Sequence, residues 1–469
     1  MTEHPRPYPH YKDSGIPWIG QIPSDWGVRR GKWLFRHRKE LNTNRANKNV
    51  LSLTLRGVVN NDPDDPEGLV PKDYATYQLF RKDDLVFKLI DLENLRTSRV
   101  GLLHEDGIMS SAYVRLIAQN AEHIRFFFHQ YFDLYQRGIY NQLGAGVRST
   151  LGPNDLLNLS ILIPSTDEQA AIVRFLDHAN RRIERYVRAK KKLIALLNEQ
   201  KQVIIHRAVT RGLDPNVRLK PSGVEWLGNV PEHWEVRRNG QLFAQRNQTG
   251  FAELPILEVS LKTGVRVRDF DNGTRKQVMS DRDKYKLAAK GDLAYNMMRM
   301  WQGAVGVAPV DGLVSPAYVV ARPLDSVEVR YFSNLFRTSA YMSEVENCSR
   351  GIVKDRNRLY WEDFKQISSP YPPPDEQVRI VDAIEHGTST LIEAMDRATR
   401  EMSLLREYRT RLVADVVTGQ LDVREAAAKL PDEPEALEPL DEGEHVEEVN
   451  GDKDTDSEVD EVGDSARIG

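Results

Sequence analysis

The chain has 469 residues, 40% of them hydrophobic and 29% charged, with a single cysteine, Cys348. That length exceeds one ordinary domain, the lack of an 18-residue apolar run excludes a membrane-spanning helix, and one cysteine excludes an internal disulfide or a cysteine-cluster zinc site. The net charge of −4 hides two regimes: residues 430–469 hold 16 Asp and Glu against Lys453 and Arg467, a balance of −14, which leaves +10 on the rest.

The N-terminus, MTEHPRPYPH, is polar and lacks a secretory signal pattern, so a cytoplasmic protein is expected. The phrase SGIPWIGQIPSDWGVRRGKWLF follows at Ser14, and SGVEWLGNVPEHWEVRRNGQLF repeats it at Ser222. Between Tyr11–Phe35 and Leu219–Phe243, 12 of 25 positions are identical at an offset of 208, including Trp18 with Trp226 and Trp26 with Trp234. These shared tryptophans read as scaffold. Short β-type runs come next (NVLSLTL, DLVFKLI), then a helical patch, AEHIRFFFHQYFDLYQRG. The second copy answers with LPILEVSL, GDLAYNMM and VEVRYFSNLFRTSAYMSEV. KDDL at Lys82 recurs as KGDL at Lys290, and SSAYV at Ser110 as SPAYV at Ser315. A period this long is too great for a solenoid and marks a duplicated module of domain size. The stretches 39–97 and 247–302 show no such likeness, so a repeated scaffold carries two different middles.

Each copy ends in a long helix. PSTDEQ at Pro164 and PPPDEQ at Pro372 open runs of about 44 residues, roughly 65 Å of helix. Thr166 and Gln169 suggest a capping box, and Gly212 a C-terminal stop. Apolar residues recur every seven positions, predicting coiled-coil seams with Leu176, Ile183, Leu193, Leu197 and Ile204 on the first helix. On the second they are Ile384, Leu391, Leu405, Tyr408 and Leu412. Lys190, Gln200 and Glu401 interrupt the lines. The helices carry +5 and −3, which favours their pairing, and a two-fold between copies makes the pair antiparallel.

The expected architecture is α+β: two globular domains separated by two long helices in an antiparallel coiled coil, with internal pseudo-two-fold duplication. The boundaries read as a first domain at 1–165, a helix at 166–212, a second domain at 213–373, a helix at 374–422 and a disordered acidic tail at 423–469.

A basic body with two unlike middles fits a polyanion. Arg56, Lys88, Arg96 and Arg99 lie in loops or strand ends of the first middle, and Lys262, Arg266, Arg299 and Gln302 occupy similar places in the second. Lys and Arg there can meet phosphates, while Arg with guanine or Gln with adenine can read bases. Two glycine-led basic loops, GAGVRST and GIVKDRN, precede the helices and align Arg148 with Arg356 and Ser149 with Asn357.

Chemistry of its own is not expected. GAG at 144 lacks the third glycine of a dinucleotide loop, no Walker A motif is present, and the 11 histidines form no ligand spacing, so no catalytic or metal residue is assigned.

The duplicated W-x-G-x-x-P-x-x-W phrase, with two DEQ helices, resembles the specificity subunit of Type I restriction–modification systems over nearly the whole chain to about Asp422. The acidic tail is outside that pattern. The resemblance implies two target-recognition domains, each reading half of a split, asymmetric site on double-stranded DNA, and it makes the two glycine-led loops DNA-facing. It implies a helical rod that sets the spacing and docks two methyltransferase subunits, with restriction/translocase subunits joining for cleavage. S-adenosylmethionine, ATP and Mg would belong to those partners, and none to this chain. The alternatives are a self-contained DNA-modifying enzyme and a coiled-coil scaffold that binds DNA without sequence preference.

Overall fold

The structure is a computed structural model that describes residues 5–54, 57–62, 73–89, 100–119, 122–143, 151–268, 282–351 and 357–431. Two compact units divide the chain: residues 1–185 with 407–469, and residues 186–406.

The first unit opens with β1 (Tyr11–Asp13), β2 (Gln21–Pro23), β3 (Gly27–Arg30), β4 (Phe35–His37), β5 (Leu51–Thr54) and β6 (Gly57–Asn60). It continues through β7 (Gln78–Phe80), β8 (Leu85–Phe87), β9 (Val100–Leu102), β10 (Gly107–Met109) and β11 (Val114–Ala118). Helices α1 (Ile124–Gln136), α2 (Ile139–Leu143) and α3 (Pro153–Asn158) precede β12 (Ser160–Ile163) and the long helix α4 (Thr166–Arg211). The second copy runs β13 (Leu219–Pro221), β14 (Asn229–Pro231), β15 (Glu235–Arg238), β16 (Phe243–Arg246), β17 (Leu257–Ser260) and β18 (Gly264–Val267). Then come β19 (Lys286–Ala288), β20 (Leu293–Asn296), β21 (Val305–Val307), β22 (Gly312–Val314) and β23 (Tyr318–Pro323). It ends with α5 (Val329–Phe336), α6 (Ser339–Cys348), α7 (Trp361–Phe364), β24 (Ser368–Tyr371) and the long helix α8 (Pro374–Val417), after which α9 (Arg424–Ala428) is added.

The two topologies are the same strand for strand. A four-stranded antiparallel sheet ordered β4–β11–β8–β9 in the first unit is matched by β16–β23–β20–β21 in the second. The pairs β1–β2, β3–β12, β5–β6 and β7–β10 match β13–β14, β15–β24, β17–β18 and β19–β22. The middles that share no sequence therefore share a fold. Leu51 and Leu53 on β5, like Leu257 and Val259 on β17, alternate inward. A strand needs only that alternation, so its identity can drift.

The repeated phrases have packing reasons. Trp26 and Trp234 are buried in their cores, edge-on to Phe126 and Tyr331 at ring distances of 6.4 and 6.5 Å. Gly212 and Gly419, each at φ 75°, end the long helices in the left-handed region. A Cβ on either would lie 3.3 Å from the Trp234 or Trp26 ring. In each DEQ triplet the glutamine amide donates to the proline five residues back, Gln169 to Pro164 O at 3.1 Å and Gln377 to Pro372 O at 2.8 Å. The glutamates hold the entry segments: Tyr8 donates its hydroxyl to Glu168, and His233 Nε2 lies 2.8 Å from Glu376 Oε2. The expected capping box is replaced by this arrangement. Ser165 caps α4 instead, its Oγ accepting from Glu168 N at 3.4 Å, because Gln169 turns back to Pro164.

Each core is roofed by both long helices. Ile172, Leu176, Leu412 and Val416 join the first core; Val209, Ile380, Val381 and Ile384 join the second. Within each unit the two helical segments run antiparallel. Lys190 Nζ meets Glu401 Oε2 at 2.6 Å and Ile204 faces Gly387 in the second unit. In the first, Glu184 meets Arg409 at 3.6 Å, while Asn180 and Val413 line one cavity. Two interruptions of the predicted seam thus pair with each other. Of the expected seam residues, Leu176, Ile183, Ile384 and Leu412 are buried, and Leu197, Ile204, Leu391 and Leu405 are half-buried. Leu193 and Tyr408 are a correction: they are 40% and 57% exposed. On α8 near there Ala398, seven residues after Leu391, is buried in keeping with the repeat, and Met402, off both seven-residue lines, is buried too, so the inward stripe leaves the strict heptad at Met402.

Candidate nucleic-acid interface

The residues chosen from the sequence fall into three groups. Arg56, Arg96, Arg99, Arg148, Ser149 and Arg356 lie outside the described residues. Lys88 is half-buried just past the end of β8, and the next residue, Leu89, accepts a backbone hydrogen bond from Leu151 N at 3.3 Å. That bond ties the strand end to the stretch that follows the first glycine-led loop.

The equivalent bond in the second unit runs from Leu359 N to Met297 O at 2.9 Å. It brings the Arg299–Gln302 turn and Asn357 to the same end of the four-stranded sheet. The turn is tight: Met300 is buried, the Trp301 indole donates to Met298 O at 3.0 Å, and Gly303 closes it at φ 85°. Arg299 Nε donates to Gln302 Oε1 at 3.0 Å, so these two side chains form one hydrogen-bonding edge. A bridge between Arg350 and Arg358 holds the ends of the loop that contains Asn357.

Lys262 and Arg266 are placed apart from that edge, on the β17–β18 hairpin. Lys262 is exposed at its turn. Arg266 sits opposite Glu258 in register and is ion-paired to it, which weakens its call on a phosphate. Arg337, at the end of α5, pins this hairpin: its Nη2 donates to Leu261 O and Lys262 O at 2.5 and 2.9 Å, and its Nη1 to Val305 O at 3.3 Å. Sequence reasoning missed Arg337, reading it as one residue of a helical patch. The signal was available, since the drifted offset sets it against Phe132, a charge where the other copy has an aromatic.

Two further pairs hold the framework beneath these edges. Arg125 at the start of α1 grips Asp177 of α4 with two hydrogen bonds of 2.6 Å, and Arg330 of α5 reaches Glu385 of α8 at 3.1 Å. The aspartates of KDDL and KGDL are buried and paired, Asp84 with Arg115 and Asp292 with Arg246, each at 2.6 Å. Arg115 comes from β11 and Arg246 from β16, so one carboxylate is satisfied from different strands in the two copies.

Residues 23–193 match the family of Type I restriction modification DNA specificity domains. The chain is 21% identical over 428 residues to a putative type I restriction enzyme MjaX specificity subunit of Methanocaldococcus jannaschii, covering 87% of this chain and 96% of the relative. Among solved structures, it is similar to a chain from work on the complex assembly and conformational transition of the type I R-M system. That likeness has a TM-score of 0.57 and 15% identity and covers 85% of this chain and 99% of the other. The HsdS subunit from Thermoanaerobacter tengcongensis gives a TM-score of 0.40 at 17% identity, covering 85% and 98%. The matched residues lie in the first copy and in the first part of α4. Strand-for-strand correspondence extends the same fold to the second unit. No helix among the described residues is long and apolar enough to cross a membrane.

Proposed function

We propose that this chain is a Type I specificity subunit, which reads a split DNA target, one half with each unit, within a restriction–modification complex. One observation carries the reading: the two units repeat a single topology while the sequences of their middles differ. The Arg299–Gln302 edge of the second unit has no counterpart in sequence in the first, while the cores and entry phrases are shared. Two unlike readers in a repeated frame serve an asymmetric, bipartite site. Phosphate contacts from Lys and Arg set the salt dependence, and bidentate side chains such as Arg299 and Gln302 supply base identity. The long helices set the spacer between half-sites and dock two methyltransferase subunits, with restriction/translocase subunits recruited through them in the cytoplasm. Methyl transfer to adenine and cleavage, with S-adenosylmethionine, ATP and Mg, fall to those partners, and this chain performs neither.

The test is a map of methylated adenines in the native genome with this gene intact and deleted. A bipartite motif with a fixed spacer that vanishes on deletion is expected. A motif that survives deletion would sink the reading.

A further inference from the structure

A cleft of about 710 Å³ opens in the second unit between the β17–β18 hairpin, α5 and the two long helices. Arg330, ion-paired to Glu328 and Glu385, lines it together with three further cations: Lys201 of α4, Lys262 of the hairpin turn and Arg337 at the end of α5. None of the three has an acidic partner among the described residues. Arg337 donates three hydrogen bonds to backbone carbonyls, which leave its charge uncompensated. Burial, and then the Arg337 guanidinium, holds the Lys201 ammonium below its usual pKa. Burial lowers Arg337 as well. Of the two glutamates on the lining, Glu385 is engaged by Arg330, and Glu393 is exposed at the rim. Ser333 and Asn334 add neutral polar groups able to donate hydrogen bonds.

The first unit has the same cleft in a different chemistry. Its cavity is about 130 Å³ and is lined by Phe128, Phe132 and Val413. Phe132 stands where the second unit has Arg337. Arg409 stands where it has Lys201, and is paired with Glu184. Partly buried like charges facing one another are costly without a counter-charge. The duplicated frame does not require them, because the first unit fills the place with an aromatic ring.

We propose that the cleft between Lys201, Lys262 and Arg337 is a binding site for a phosphate group. Three cations lining one cleft beside hydroxyl and amide donors suit the oxyanion of a phosphate group, whether a singly charged diester or a more highly charged monoester. The group comes either from a DNA backbone or from a soluble phosphorylated compound. The site goes beyond target reading, since it needs no base contact.

The experiment uses the full chain with inorganic pyrophosphate at constant ionic strength, followed by thermal unfolding. Pyrophosphate at about a hundred times its dissociation constant raises the melting temperature by about 3 °C. Lys201→Gln abolishes that shift, Lys262→Gln diminishes it, and Lys201→Arg keeps it. Without pyrophosphate, Lys201→Gln melts no lower than the parent, because it removes a repulsion with Arg337. This separates a lost ligand from a lost fold. No shift in the parent, or an equal shift in Lys201→Gln, overturns the proposal. A second arm titrates a short duplex. If Lys201→Gln weakens duplex binding and lowers the salt slope by about one, the phosphate is that of DNA. If duplex binding is unchanged while the pyrophosphate shift is lost, the ligand is soluble. A chain that binds no duplex but keeps the pyrophosphate shift refutes DNA reading and leaves the phosphate site standing.

Discussion

His129 of α1 is 8% exposed, packed beside Phe128 and Phe132 at the cavity under the first unit. Burial, then the nearby Arg125 and Arg409 charges, pulls its pKa down to about 3. The folded state therefore keeps the ring neutral while the unfolded chain takes up a proton below about pH 6.5. Stability from this group is whole above that pH and is lost as pH falls toward 3. Asp133, one turn on, acts in the opposite sense: burial raises its carboxyl, so it favours the folded state as acid is added. The second unit carries Asn334 where the first has His129. Replacing His129→Asn should flatten the acid limb: between pH 7 and pH 5 the parent loses ~2 kcal/mol more than the variant, measured by urea unfolding. An equal loss in both proteins would mean that the ring is not held neutral. Residue-scale sequence reading reached part of this framework. The repeated Asp of KDDL and KGDL was visible at Asp84 and Asp292. Its partner was not, because Arg115 and Arg246 come from different strands and only the fold brings each one in.

Among the elements, the long helices were the most legible and their middle the least. Seven-residue periodicity located both helices, and where the helices roof a core the predicted residues are buried, as with Leu176 and Ile384. Between those regions Leu196 and Leu404 are exposed as well as Leu193 and Tyr408. Periodicity reports which residues are apolar, and it cannot say whether a globular core or only a second helix lies opposite. The divergent middles failed for another reason. Their strands are three or four residues long, and alternating burial leaves too few constrained positions for identity to persist. Gly387 falls seven residues before Ala394, where the repeat calls for an apolar side chain. It sits inside α8, and a Cβ placed there would lie 3.7 Å from Ile204 Cγ2, an ordinary contact. The first copy has Ala179 at the equivalent place. Glycine inside a helix costs backbone entropy that alanine does not. Gly387→Ala should therefore stabilise the chain by about 0.5–1 kcal/mol, read as a higher urea midpoint with an unchanged slope. A lower midpoint would show that the helices approach more closely at Ile204 than the contact allows.

At the scale of the whole molecule, charge is divided more sharply than fold. Residues 432–469 carry the −14 balance and the remainder carries +10, so the net of −4 describes neither part. The repeated frame explains no part of this tail, because the pattern shared by the two copies ends near Asp422. The last described residues fix where it starts: Arg174 of α4 donates to Leu430 O, and Pro431 lies over a cavity it shares with Arg174 and Arg181. The tail therefore leaves from a basic part of the first unit, and its charge opposes any approaching polyanion within about a Debye length of that point, roughly 10 Å at 0.1 M salt. Removing residues 432–469 converts the net charge from −4 to +10. Long-range attraction acts on encounter rather than on fit, so the association rate with DNA lacking the target should rise by at least about tenfold at low ionic strength. The gain should shrink steadily as salt is added, while melting temperature stays unchanged because no described core residue is lost. Stopped-flow binding of full-length and truncated chains across a salt series reads both quantities. Equal association rates at the lowest salt would show that the tail does not screen the basic body from DNA, and would leave solubility as the property it serves.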